Sequence, residues 1–324
     1  MTGREVLASG DVKVECPFVL PEKESTSADF VSFCHTSLGV PPSRVLRDLQ
    51  AWLDEDTGRG DVTLASGIWG RREATAVIVA KEDFVLAGLP VAAEVFRQAS
   101  GSHVRLFSSF QDGAFVKKGD VVLVAKGAAA ALLMAERTCL NFMCRVSGIA
   151  TKTKSVVDAL VQAGSEGKPV VLETRKTTPG HRMYEKYATR VGGAQNHRHG
   201  LDAGAMLKEN HLRSIGNIRD ALRLLKKSIP ILSGIEVEVT SLSEFRVALD
   251  EGADVIMLDN FSWQDVSTAV TERNAKRSSA KLEVSGNLDG DKARSLVQSG
   301  VDYASMGALI HKSVWVDMSL QLYV

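Results

Sequence analysis

The chain is short of cysteines and aromatics, has no long apolar run and carries no excess of either charge, and each shortage removes a class of protein. Four cysteines in 324 residues, at positions 16, 34, 139 and 144, form no CxxC pair. In a chain this long they suit neither a zinc site nor a disulfide framework. They read as reduced thiols, the state expected in the cytoplasm. No apolar stretch approaches the roughly 18 residues that a membrane-spanning helix needs. The N-terminus lacks a basic region followed by an apolar core, and residues 1–40 carry Asp11, Glu15, Glu22, Glu24 and Asp29, which an organelle transit peptide would avoid. Lys and Arg together number 39, as do Asp and Glu. That balance argues against a general nucleic-acid binder, whose phosphate contacts need a net basic surface. With 44% hydrophobic and 24% charged residues the chain is an ordinary soluble globular protein, able to hold one large α/β domain or two smaller ones.

Charge is unbalanced in one place. From Glu173 to His211, seven cations (Arg175, Lys176, Arg182, Lys186, Arg190, Arg198 and Lys208) face four acids (Glu173, Glu185, Asp202 and Glu209). A basic run is most often a solvated helix face. Here Arg175 and Lys176 follow the apolar stretch PVVLET and Lys208 follows AML, so these cations fall where buried strands end. Interleaved with Gly192, Gly193, His197 and His199, they suit a pocket for a small polyanion, a phosphate or a carboxylate.

The segments upstream and downstream have different rhythms. PPSRVLRDLQAWLDED reads as a capped amphipathic helix from about Ser43. Between Glu73 and Gly127 the strands TAVIVA, FVLAG, VRLFSSF and DVVLVA surround a helix, PVAAEVFRQA, opened by proline. DGAFVKKGDVVLVAKG has the outline of a biotinyl or lipoyl hairpin but no Met-Lys-Met, and reads as structural. After a helical stretch ending near Gly164, apolar runs recur at 169–174, 205–208, 234–239, 254–260, 281–286 and 303–307 with helices between them. This alternation predicts parallel βαβ units.

What stands at the end of each run decides the reading: Arg175 with Lys176, Lys208, Glu238, Asp259, Ser285 with Gly286, and Gly307. In a (β/α) barrel the carboxyl ends of the strands converge on one mouth, so these residues would share a cavity. Six strands are countable, short of eight. Glu238 and Asp259 suit Mg²⁺, which is held by one or two carboxylates plus substrate phosphates, although ion bridges to Arg or Lys are the plain alternative. The two late Ser/Gly turns suit phosphate. Lys208 admits a Schiff-base role. His197 and His199 lack a third zinc ligand, and hydrogen bonding to an anion fits His197 better.

The motifs ERTCLNFMCRVSGIAT (136–151), TRKTTPGHRMYEKYA (174–188), GGAQNHRHGL (192–201), LKENH (207–211), EVEV (236–239), IMLDNFS (256–262), LEVSGN (282–287) and SMGALIH (305–311), with LDEDTGRGDVT from about Asp54, resemble the quinolinate phosphoribosyltransferases, the carboxylating nicotinate-nucleotide pyrophosphorylases. The resemblance implies an N-terminal α/β sandwich domain followed by an open, about seven-stranded α/β barrel. The divisions expected are a disordered or loosely docked extension over 1–40, the sandwich over 41–145, the barrel over 146–308 and a C-terminal helix over 309–324 that packs back on the sandwich. It also implies an enzyme of NAD biosynthesis that joins quinolinate to phosphoribosyl pyrophosphate with Mg²⁺, releasing pyrophosphate and CO₂.

By motif match Arg137 is supplied to the partner subunit of a homodimer or larger homo-oligomer. Arg175, His197, Arg198 and Lys208 grip the two carboxylates of quinolinate, and Lys176 lies between acid and pyrophosphate. Glu238 and Asp259 hold the metal and the ribose hydroxyls; Ser285, Gly286, Gly307 and His311 bind phosphate. Two positions depart from the family pattern: Asn287 replaces a second glycine after Ser-Gly, and Glu209 replaces an aspartate. The rivals are a homologue encoded beside molybdate transporters, a nicotinate-specific transferase, a Schiff-base aldolase using Lys208 and a catalytically silent binding homologue.

Overall fold

The computed structural model describes residues 5–6, 12–13, 16–19, 21–67, 72–101, 103–286 and 292–324. Their contacts divide the chain into Met1–Thr151 with Val314–Val324, and Lys152–Ser313.

In the first unit, helix α1 (Ser27–Phe33) starts from a capping box in which Thr26 and Asp29 satisfy each other's backbone N–H, and it buries Phe30 and Phe33. Upstream of it the backbone is laid beside the sheet: Ser25 N–H donates to Leu106 O at 2.8 Å and Ser108 N–H to Lys23 O at 3.1 Å. The expectation of a loose extension over 1–40 therefore fails for residues 23–33. Its acidic composition concealed two anchoring phenylalanines. Helix α2 (Pro42–Thr57) opens on proline and buries Val45, Leu49 and Leu53, a stripe at helical spacing. Strand β1 (Glu73–Ala80) precedes helix α3 (Leu89–Ala99), which begins after Gly88. Gly88 has φ +84°, and a Cβ there would meet Phe142 at 2.6 Å, so only glycine fits. Strands β2 (Arg105–Phe107) and β3 (Val121–Ala128) complete the antiparallel sheet with a C-terminal strand, Met318–Tyr323, in the order C-terminal strand, β1, β3, β2. The helix expected over 309–324 is thus a strand beyond a single helical turn. Met318, Leu320 and Leu322 alternate with Ser319 and Gln321, the period of a strand, and Leu320 pairs with Ile78 of β1. Helix α4 (Ala129–Gln162) carries Arg137 in this unit and its last turns in the second.

The second unit contains all six runs read from the sequence as parallel strands: β4 (Val170–Leu172), β5 (Ala205–Leu207), β6 (Ile235–Val239), β7 (Val255–Asp259), β8 (Lys281–Ser285) and β9 (Tyr303–Ser305). Their order is β4-β9-β8-β7-β6-β5. A single parallel bridge, Leu172 to Gln195, adds a seventh position beside β4. Among the described residues no pairing joins that position to β5, so the barrel stays open.

Helices α5 (Arg182–Val191), α6 (Glu209–Ile215), α7 (Ile218–Ser228), α8 (Leu242–Asp250), α9 (Trp263–Ala275) and α10 (Ala293–Gln298), with the short α11 (Ala308–His311), connect the strands. The strands carry their apolar residues toward these helices. Val237, Val239, Ile256, Leu258, Leu282 and Val284 form one buried cluster with Phe245, Leu249 and Val266. Each such side chain stabilises the fold by about 1.5–3 kcal/mol. Strand alternation then forces Glu236, Glu238, Asp259, Glu283 and Ser285 onto the opposite, interior face.

Candidate active site

Register puts the strand ends together. Asp259 pairs with Ser285 and Ser285 with Ser305, which sets three polar residues on one rung at the carboxyl end of the sheet. Beyond them opens a cavity of about 320 Å³ lined by Lys176, Asp259, Ser285, Gly286, Gly307 and His311. Gly307 leaves room for these side chains: a Cβ there would come within 2.8 Å of Lys176 Cδ and 3.3 Å of His311 Cδ2. Gly286 has φ +148° and bends the chain away after β8, and Asn260, at φ 55°, donates from Nδ2 to Asp259 Oδ2 at 3.0 Å. Asn287, whose effect on the phosphate loop the sequence raised, lies outside the described residues.

A second cavity of about 400 Å³ lies inside the same barrel and is lined by Asn196, His197, Arg198, Gly204, Glu236 and Glu283. Arg198 Nη1 donates to Gly204 O at 3.0 Å. Burial and then the charge of Arg175 lower the Arg198 pKa, so these two guanidiniums sit close enough to repel. Glu283 is pushed up to about 7, by burial first and then by Glu236. Each of these two carboxylates keeps one oxygen without a hydrogen-bond partner among the described residues.

Lys208, just past β5, pairs with a carboxylate of the neighbouring strand β6. Its Nζ is 3.1 Å from Glu238 Oε2, and its charge acts on both Asp259 and Glu283. The Asp259 pKa is raised by burial and next by the negative charge of Glu238. Two hard oxygen donors in mutual repulsion on neighbouring strands fit a divalent cation, and Glu238 and Asp259 are the residues that would hold it. The ammonium of Lys208, half-exposed and bound to a carboxylate, is not the desolvated amine of a Schiff-base enzyme.

His197 differs from its expected role. Its Nδ1 accepts the Arg198 N–H at 2.7 Å, and its Nε2 lies 3.0 Å from Glu236 Oε2 and 3.9 Å from Glu283 Oε2. Burial lowers its pKa, but the hydrogen bond and charge of Glu236 outweigh burial and the net shift is upward. Both ring nitrogens are therefore engaged by the protein. The ligand atoms of His197, Glu236 and Glu283 also lie within 4.8 Å of one another, a spacing open to a metal. A metal on Nε2 would need the hydrogen on Nδ1, where the Arg198 N–H already points, so the trio reads as a hydrogen-bonded anchor.

The barrel thus gathers Lys176, Asp259, Ser285, Gly286, Gly307 and His311 in one cavity and His197 and Arg198 in the other, and it pairs Lys208 with Glu238. Arg175 is exposed past β4 and acts electrostatically on Arg198. Arg137 belongs to the first unit, 61% exposed and 3.9 Å from Glu136. Glu236 and Glu283 were missed in the sequence. They stand two residues before Glu238 and Ser285, and period two would have placed them on the same interior face.

Residues 149–321 match the family profile described as "Quinolinate phosphoribosyl transferase, C-terminal domain", and residues 61–147 match its N-terminal domain. The chain is 38% identical over 278 residues to a probable nicotinate-nucleotide pyrophosphorylase [carboxylating] of Synechocystis, covering 85% of this chain and 91% of that protein. It is 39% identical to the nicotinate-nucleotide pyrophosphorylase [carboxylating] of Mycobacterium leprae, over 83% of this chain and 94% of that one. The solved structure of the nicotinate-nucleotide pyrophosphorylase from Francisella tularensis superposes with TM-score 0.79 at 36% identity, over 87% of this chain and 97% of that one.

Proposed function

We propose that this chain, which belongs to the quinolinate phosphoribosyltransferase family, joins quinolinate to phosphoribosyl pyrophosphate, releasing pyrophosphate and CO₂ and giving nicotinate mononucleotide for NAD biosynthesis. The observation that carries the assignment of roles is the gathering of Lys176, Asp259, Ser285, Gly286, Gly307 and His311 around one cavity at the carboxyl ends of the strands. In this reading Arg175, Arg198 and Lys208 take the carboxylates of the acid. His197, held by Glu236, backs Arg198 and offers its ring to the acid only if that bond is exchanged. Ser285, Gly286, Gly307 and His311 take phosphate.

A dianionic pyridine approaching a sugar pyrophosphate is repelled, since unit charges 4 Å apart interact by about 4 kcal/mol at an effective dielectric near 20. The cations offset that repulsion. As the anomeric carbon loses pyrophosphate, Lys176 stands where negative charge grows on the leaving group. Mg²⁺ held by Glu238 and Asp259 would neutralise the same oxygens when bound. Once the pyridine nitrogen is glycosylated, the C2–carboxyl bond breaks, the pyridinium stabilises the electron pair left on C2 as CO₂ departs, and a proton from solvent then takes the carboxyl's place. No covalent nucleophile is needed.

The test follows quinolinate consumption with phosphoribosyl pyrophosphate and Mg²⁺, reading CO₂. Release with quinolinate and no turnover of nicotinate is expected; equal turnover of nicotinate would overturn the substrate assignment. We further propose a cytoplasmic homodimer or larger homo-oligomer in which Arg137, exposed on α4, completes the partner's site. Mixing Arg137→Ala with Lys208→Ala protein should then restore part of the activity. No recovery after verified subunit exchange counts against sharing.

A further inference from the structure

The segment that carries His197 and Arg198 has very little sheet to hold it. Among the described residues its one ladder contact is the bridge at Leu172, where Gln195 N–H donates to Val171 O at 2.9 Å. One backbone bond does not fix the register of a strand end. Besides the His197–Glu236 and Arg198–Gly204 bonds, its backbone is held by a buried pair on neighbouring elements. Lys186 of α5 and Glu173 at the end of β4 are 1% and 0% exposed and form an ion pair. Lys186 Nζ also donates to His197 O at 2.9 Å. Asn196 Nδ2 bonds both Glu173 Oε2 and the Lys186 carbonyl, each at 2.9 Å. Thr189 Oγ1 donates to the Lys186 carbonyl at 2.8 Å. Two residues after Glu173 the same strand end carries Arg175, and then Lys176.

We propose that Lys186, with Glu173 as its counter-ion, is a positioning residue for recognition of the pyridine acid: it fixes the His197–Arg198 segment against the Arg175 turn and so sets affinity for the two carboxylates. The inference rests on the acid-binding reading above. A buried ion pair is weak evidence for stability, because well-packed neutral residues often replace one without loss, so its retention calls for another role. Here that role is geometric. Lys186 touches neither cavity, yet it holds a carbonyl one residue from Arg198, and a displacement of about 1 Å at a positioning group can cost up to about 10²-fold.

The test compares the unmodified enzyme with Lys186→Met/Glu173→Gln, which removes both buried charges at nearly constant volume, and with Lys186→Arg. In the double variant the KM for quinolinate should rise about tenfold, the equivalent of about 1.4 kcal/mol. The KM for phosphoribosyl pyrophosphate and kcat at saturating quinolinate should stay within about threefold, since the phosphate cavity has other supports. Lys186→Arg, which keeps a donor to both Glu173 and His197 O, should recover part of the lost affinity. A double variant with wild-type KM for quinolinate overturns the proposal, and so do parallel rises for both substrates. Should the double variant fail to fold, Asn196→Ser gives the same readout, with a rise of about threefold expected from the lost hydrogen bonds and no rise as the refuting result. Inactivity of the unmodified enzyme toward quinolinate would instead sink the underlying assignment.

Discussion

Lys176→Ala lowers kcat/KM for quinolinate by about 10²–10³-fold, the usual cost of removing one preorganised charge from a transition state, and leaves the melting temperature close to that of the unmodified enzyme. Its side chain lies past the end of β4, exposed, with its stem against Gly307 and its charge acting on Asp259. It therefore contributes little to the buried layers and much to the cavity where pyrophosphate would leave. Steady-state kinetics beside a thermal melt separates the two. Unchanged kcat/KM in a folded variant would remove Lys176 from the reaction.

Asp259→Asn should have a comparable effect on turnover and no destabilising effect on the fold. The sign follows from the shift. Burial and Glu238 raise the pKa of Asp259, so the fold disfavours its charged form near neutral pH. A neutral amide removes that opposition, and the melting temperature should hold or rise while activity falls by about 10²–10³-fold. Binding of Mn²⁺ in the presence of pyrophosphate should weaken in parallel, with the lost carboxylate oxygen as the cause. A variant that keeps its metal affinity and its rate would show that Glu238 and Asp259 are a structural pair.

The barrel strands were legible because each combines an apolar run with a polar residue at its end, and both survive in a single sequence as composition. Lys176, Asp259, Ser285 and Gly307 came together for that reason. The seventh strand position was not legible, since one bridge at Gln195 leaves no periodic trace. The C-terminal strand was hidden by its brevity and by the short helix before it, and α1 by the acids around it. The partners of His197 were invisible for a different reason. Glu236 and Glu283 lie 39 and 86 residues further along the chain, and only the curl of the sheet brings them to the imidazole. Lys186 looked like one more cation in a basic run, and its burial is a tertiary fact.

The strands of this barrel turn their greasy side outward to the helical jacket and line the hollow with ionisable groups. Cohesion and chemistry therefore occupy opposite surfaces of the same ribbon. A laboratory that wished to redirect the enzyme toward a different heteroaromatic acid could rewrite the lumen at 236, 257 and 283, leaving 238 and 259 in place, without disturbing the shell that keeps it upright.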